Sequence, residues 1–465
     1  MIAPRRFLFR VAAPRRSRNG RARLACLIAL VLLAVAPTAA DAAVFDPKSF
    51  TLSNGMRVLL IENRRAPVVS HMVWYKVGAA DEPAGKSGIA HLLEHLMFKG
   101  TETQPSGAFS KTVARLGGTE NAFTARDYTA YFQNVAAEHL ETVMRLEADR
   151  MRNLVLSDAE VAAERDVVLE ERRSRTDNSP RALLAEQVAA ALYLNHPYGR
   201  PIIGWAHEIR ALTKADALEF YRRHYVPANA ILIVAGDVTL DALRVLAEKY
   251  YGAIPARPAP ERARLREPPH GAARRVLRRD SRVREPSWSR SYLAPGRRLG
   301  GNARADALEV LAEILGGSAT GPLYRRLVVE EKAAVAADAY YDGDAFDQTR
   351  FVIYARPAPG VSVERVESLV LAEIDKLLRD GIDAVALARA KQRMRAAAVF
   401  ARDSLQTGAQ ILGAALTTGQ TVEDVEAWPE RIQAVDGAAV LDAAREILRD
   451  PRSVTGILLP EDETG

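Results

Sequence analysis

The spacing of apolar positions along the chain switches repeatedly between a period of two and a period near 3.6, and the order of the switches outlines a fold. Residues 50–62 alternate around Asn54-Gly55, which predicts a hairpin with those two residues at its turn. A second strand, rich in β-branched and aromatic residues, is predicted over 67–77. Helical periods follow at 87–99, 106–116, 136–152, 157–176, 180–192 and 213–224. A buried-strand run at 230–235 (AILIVA) and a helix over 239–251 close this half. The second half repeats the theme. It has strands at 274–279, 287–293, 333–341 and 349–356, and helices at 303–315, 362–379, 384–401 and 436–448. A final apolar strand runs over 453–459. Strands, then helices, then a returning strand, twice over, predict two similar α+β domains, each a mostly antiparallel sheet with helices packed on one side. The expected domains are residues 44–255 and 273–465, joined by a linker at 256–272. The Pro- and Arg-rich stretch around that linker reads as a solvated crossing of an exposed surface.

Composition adds one correction to a first impression. The 465 residues are 48% hydrophobic and 26% charged, an ordinary globular balance that excludes disorder. The formal net charge of +6 invites a nucleic-acid or anionic-membrane partner. Residues 1–23, however, carry eight arginines and no acid, and residues 24–36 (LACLIALVLLAVA) are an unbroken apolar run. With Ala40-Asp41-Ala42 as an A-x-A site, residues 1–40 read as a secretory signal peptide. The apolar run falls short of the roughly 20 residues a membrane span needs, so no stable span is expected after cleavage. Removing 1–40 takes away 8 of 64 basic residues and none of the 58 acids, leaving −2. The basic charge thus belongs to an export signal and gives no support to a nucleic-acid partner. The expected location is exported, periplasmic. Cys26, the only cysteine, lies in the leader.

Gly88–Phe98 (GIAHLLEHLMF) carries the candidate chemistry. At about 100° per residue, Ile89, Leu92, Leu93, Leu96 and Met97 share one face, and His91, Glu94 and His95 lie on the opposite one. Ser87 is a plausible N-cap and Gly100 a plausible C′ residue. Two imidazoles one turn apart can bind one Zn²⁺, and a carboxylate between them can take a proton from water. Zinc needs a third ligand. Downstream, Ser157-Asp-Ala-Glu160 is a capping box, and the helix it opens carries Glu160, Glu164 and Glu171 on one stripe, with Glu170 elsewhere. An acidic stripe alone is more often solvated than metal-binding. No G-x-S-x-G supports serine hydrolase chemistry, and the Gly-rich run 316–321 lacks a P-loop lysine and reads as a loop between helices. His71, in a strand, and His196, in a Pro-flanked loop, read as structural.

His91-Leu-Leu-Glu-His95, followed 76 positions later by Glu171, resembles the pitrilysin/insulinase family of inverted-motif zinc peptidases, most closely its bacterial processing-peptidase-like members. Residues 117–128 (GGTENAFTARDY), 146–151, 196–204 and 234–237 resemble family segments too. The resemblance implies two such domains closing as a clam shell, with Zn²⁺ as cofactor. It implies His91, His95 and Glu171 as metal ligands, Glu94 as general base and Glu164 as an auxiliary carboxylate. Asn121, Ala122 and Phe123 would lie on a strand edge to which a peptide or unfolded polypeptide adds, with Asn121 beside the scissile bond. The implied activity is that of a zinc endopeptidase.

One departure stands out. Where self-sufficient members carry an Arg and a Tyr seven residues apart in the second domain, this chain has Val329 and Ala336. Neither side chain can hydrogen-bond a substrate or an oxyanion. The expectation is therefore the zinc-bearing subunit of a heteromeric peptidase whose related partner supplies the Arg/Tyr pair. A non-catalytic scaffold or assembly subunit retaining the fold is the alternative.

Overall fold

The computed structural model describes residues 44–449 and 452–461. The expected signal peptide and its cleavage site lie outside the described residues. Among the described residues, no helix is long and apolar enough to cross a membrane.

Two sheets organise the chain. The first comprises β1 (Lys48–Thr51), β2 (Arg57–Glu62), β3 (Val68–Tyr75), β4 (Thr119–Thr124), β5 (Thr129–Ala136) and β6 (Ala230–Gly236), in the order β1-β2-β6-β3-β5-β4. The second comprises β7 (Arg274–Asp280), β8 (Ser287–Ala294), β9 (Ala334–Tyr341), β10 (Thr349–Pro357) and β11 (Val454–Pro460), in the order β7-β11-β8-β10-β9. Without β1, the two orders are the same. In each, the first and last strands pair in parallel and the other pairs are antiparallel. Two similar α+β domains therefore form the molecule. The hairpin expected at Asn54-Gly55 joins β1 to β2, with Gly55 at φ +89°.

Helices of eight residues or more are α1 (Ile89–Leu96), α2 (Ala108–Arg115), α3 (Leu140–Asn153), α4 (Asp158–Arg172), α5 (Pro180–Leu192), α6 (Lys214–His224), α7 (Leu240–Tyr250), α8 (Asn302–Leu315), α9 (Val363–Asp380), α10 (Ala384–Ala401), α11 (Leu405–Thr417) and α12 (Gly437–Leu448). The main core of the first domain lies between its sheet and the apolar face of α1, where Ile89, Leu92, Leu93, Leu96 and Met97 are all buried as their periodicity requires.

The domains exchange helices. From the first half, Leu184 and Val188 on α5 pack with Val454 and Leu458 of β11. From the second half, Ala409, Leu412 and Leu416 on α11 pack on Leu59, Met72, Trp74 and Ile233, covering the other face of the first sheet. Gly413 makes that approach possible, because a Cβ there would sit 2.0 Å from the Trp74 ring. The periodicity misses α11, since glycines at 408 and 413 lower helix propensity and their reason lies across the domain boundary.

The connecting stretch differs from a solvated linker. The side chains of Arg264 and Arg262 are largely covered and paired to Asp81 at 2.8 and 3.1 Å, and Arg264 also reaches Asp127 at 2.8 Å. Glu267 accepts the amides of Leu194, Asn195 and His196. Ring stacking extends the clamp into the second domain, with Arg262 4.4 Å from the Phe346 ring. Alternating basic and acidic residues concealed this from the sequence, because the acids that neutralise the arginines come from distant parts of the chain.

Candidate active site

Helix α1 is shorter than the expected 87–99, and its caps differ from those expected. Its N-cap is Gly88, at φ +89°, where a Cβ would meet the Ile203 carbonyl oxygen at 2.6 Å. Ser87 instead accepts the Trp205 amide, and the helix ends before Gly100 is reached. The capping oxygen comes from Glu82, whose Oε1 accepts both the Gly88 and Ala90 amides at 3.0 Å. Burial pushes the Glu82 carboxyl up to about 8 against the pull of those two amides. A buried acid thus anchors the N-terminus of the motif helix by accepting two of the amides that a helix start leaves without partners.

The polar face of α1 looks onto α4. The capping box at the start of α4 forms as expected: Ser157 Oγ accepts the Glu160 amide and the Glu160 carboxylate accepts the Ser157 amide. Glu160 is thereby committed to its own helix end. Exposed Glu170 pairs with Arg173. The remaining two glutamates reach the histidines. Glu171 Oε2 lies 3.5 Å from His91 Nε2 and 3.4 Å from His95 Nε2. Glu164 Oε1 lies 3.2 Å from His95 Nδ1, on the far side of that ring.

These distances suit a cation. Tetrahedral ligands at about 2.0–2.1 Å from Zn²⁺ lie about 3.4 Å apart. His91, His95 and Glu171 offer three ligand atoms within 4.8 Å of one another, the only such cluster of His, Cys, Asp or Glu among the described residues. Glu171 Oε2 is buried and makes no hydrogen bond, an arrangement that is costly unless a ligand completes it. Burial, with neighbouring His95 and Arg175, pushes His91 down to about 3, so its imidazole is neutral and free to coordinate. The glutamate of the motif behaves differently. Burial pushes Glu94 up, while a hydrogen bond from Thr124 Oγ1 pulls it down.

That hydrogen bond ties α1 to β4, an edge strand paired only with β5. Asn121 is exposed, and its Oδ1 accepts the Ala122 amide at 2.9 Å, so that amide is not spent on the ladder with β5. Ala122 packs against the core that holds α1, whereas Phe123 turns the other way onto Trp74. The three expected substrate-edge residues therefore share a strand and not a face. Val329 is exposed in a π-helical turn (Arg325–Glu330), and Ala336 is half-buried on β9, the other sheet's edge. His71 sits between Gln133 and Tyr251, and His196 reaches Asp347 at 3.2 Å.

Thr124 falls in the family-like segment 117–128, though its bond to Glu94 is not legible there, and three further contributors carry no signal in one dimension: Glu82, Lys99 on Glu164, and Arg175 on Glu171. Each is an ordinary polar residue whose partner is known only after folding.

A two-domain α+β fold with a His-His-Glu cluster beside an edge strand defines a class, and sequence comparison supplies the family. Residues 57–205 match the insulinase (peptidase family M16) domain, and residues 211–394 match the domain described as peptidase M16 inactive domain. The zinc protease PqqE of Helicobacter pylori is 31% identical over 444 residues, covering 92% of this chain and 97% of that protein. An uncharacterized zinc protease of Mycobacterium tuberculosis is 32% identical over 415 residues, covering 88% and 92%. The crystal structure of a protease from Helicobacter pylori superposes with a TM-score of 0.84 at 30% identity, over 89% of this chain and 99% of that one. The chain belongs to the insulinase (peptidase M16) family.

Proposed function

We propose that the protein is a zinc-dependent endopeptidase acting on extended or unfolded polypeptides. The observation that carries this reading is the convergence of His91 Nε2, His95 Nε2 and Glu171 Oε2, with Glu94 tied to an edge strand alongside. His91, His95 and Glu171 would hold the ion. Glu164 orients His95 through Nδ1, as carboxylates behind metal-binding histidines do. When bound, the ion would polarise the substrate carbonyl and acidify water. A substrate strand adds to β4 along the edge that β5 leaves free, with Asn121, Ala122 and Phe123 as its backbone template. Glu94 takes a proton from the attacking water and delivers it to the leaving amine. Its partial burial raises its basicity and suits it to both halves of that transfer.

We further propose that the chain is exported to the periplasm and works as the metal-bearing subunit of a heteromer whose partner supplies an Arg/Tyr pair. Val329 and Ala336 support that reading. They equally favour a second one, a non-catalytic subunit retaining the fold. Zinc analysis and cleavage of unstructured peptides separate the two, measured on the chain alone and on material co-purified from its host. Chelator-sensitive cleavage lost in Glu94→Gln and stoichiometric zinc lost in Glu171→Gln support the peptidase. Zinc-free protein without cleavage in either preparation refutes it.

A further inference from the structure

We propose that Arg175 and Lys99 are positioning residues, each holding the outer oxygen of one site carboxylate so that the inner oxygen faces a histidine. This rests on the reading of His91, His95 and Glu171 as a metal site.

The two carboxylates are held alike. Glu171 Oε1 is paired to Arg175 Nη1 at 2.6 Å, which leaves Oε2 without a hydrogen bond between the two Nε2 atoms. Glu164 Oε2 is paired to Lys99 Nζ at 2.5 Å, which leaves Oε1 on His95 Nδ1. The terminal torsion of a glutamate is broad and roughly two-fold, so an unheld carboxylate would offer either oxygen, or both, to an ion. A cation on one oxygen selects the other.

Stability does not account for the Arg175 pair. The Arg175 side chain is 74% exposed, and exposed ion pairs contribute little to folding. Its location is nonetheless well defined. Arg175 lies in a π-helical turn, Arg173–Asp177, that directly continues α4. The preceding Arg172 is buried and bonds Glu186 at 2.8 Å and the Gly204 carbonyl at 2.9 Å, fixing the helix end from which that turn departs. Single π-turns inside helices recur at functional sites.

Charge and orientation predict opposite signs, which makes the idea testable. A guanidinium near a bound dication repels it, so a purely electrostatic Arg175 would weaken metal binding and its removal would tighten it. A positioning Arg175 does the reverse.

The experiment measures the zinc Kd of the full mature chain by competition with a chromophoric chelator, alongside the visible spectrum of the Co²⁺-loaded protein. Arg175→Ala is expected to weaken zinc binding about 10–100-fold and to change the Co²⁺ ligand-field bands, with the metal-free melting temperature unchanged. Arg175→Lys restores most of the affinity. Lys99→Ala weakens binding about tenfold through His95, and Lys99→Arg restores it. If the wild type binds zinc and Arg175→Ala binds it equally or more tightly, the positioning role is wrong. If the wild type takes up no zinc, the metal-site reading fails and this inference falls with it.

Discussion

Thr124 Oγ1 donates a hydrogen bond to the Glu94 carboxylate, joining the last residue of edge strand β4 to the polar face of α1. The group proposed to move the proton is thereby positioned by the strand proposed to receive the peptide. On that proposal, substrate registration and proton transfer share one contact, with a measurable consequence.

Thr124→Val keeps the shape and removes the donor. Burial of Glu94 then loses its largest opponent, with only the charges of His95 and Arg175 still pulling down, so its pKa rises. If the ionised Glu94 is the base, as proposed, the acid limb of kcat/KM shifts to higher pH and activity on the acid side falls. A pH–rate profile on an unstructured peptide checks this. An unmoved acid limb would show that Thr124 does not tune Glu94.

Gly413→Ala tests the helix exchange. With its Cβ 2.0 Å from the Trp74 ring, α11 must lift away from the first sheet. Overpacking of this kind costs about 1–3 kcal/mol, read as a lower urea midpoint. The pair Gly413→Ala with Trp74→Leu should recover part of that loss, since the clash needs both side chains.

Arg264→Ala leaves the largely buried Asp81 and Asp127 with Arg262 as their shared cation and one fewer partner. Removing one partner of a buried ion pair costs about 3–5 kcal/mol. Equilibrium unfolding should register that loss, and limited proteolysis should show earlier cleavage within the connecting segment.

His71 and His224 predict the acid side of the stability curve. Burial pushes each down to about 4 from the ordinary 6.5. Between those values the unfolded chain binds protons that the folded chain refuses, so stability falls as pH drops from 6.5 to 4 and is unaffected by these groups above 6.5. Each contributes on the order of 3 kcal/mol across that window. His224 packs against Phe220 with tilted rings 4.5 Å apart and its Nδ1 is buried without a partner, so His224→Phe keeps a ring there and removes the titration. Urea midpoints at several pH values should fall less steeply in that variant.

Much of this molecule is decided by local pattern. A period near 3.6 in 89–97 separates the buried stripe of α1 from its histidines, because a helix face needs no partner to be defined. The capping box at Ser157 sets the start of α4, and the repeated order of strands and helices foretells two similar domains. The strands β4 and β5 escape the pattern: one is an exposed edge, and neither shows a clean alternation. Helix α11 escapes it because its glycines answer to Trp74 in the other domain.

What only tertiary structure decides is which oxygen faces which nitrogen. Glu160, Glu164 and Glu171 lie on one stripe of one helix, yet the first caps its own helix, the second backs His95 and the third meets both imidazoles. The sequence by itself determined the stripe. The packing of α4 on α1, with Lys99 and Arg175 on the outer oxygens, assigned the three acids their different partners, because hydrogen bonds and ion pairs act over a few ångströms that only the folded chain supplies.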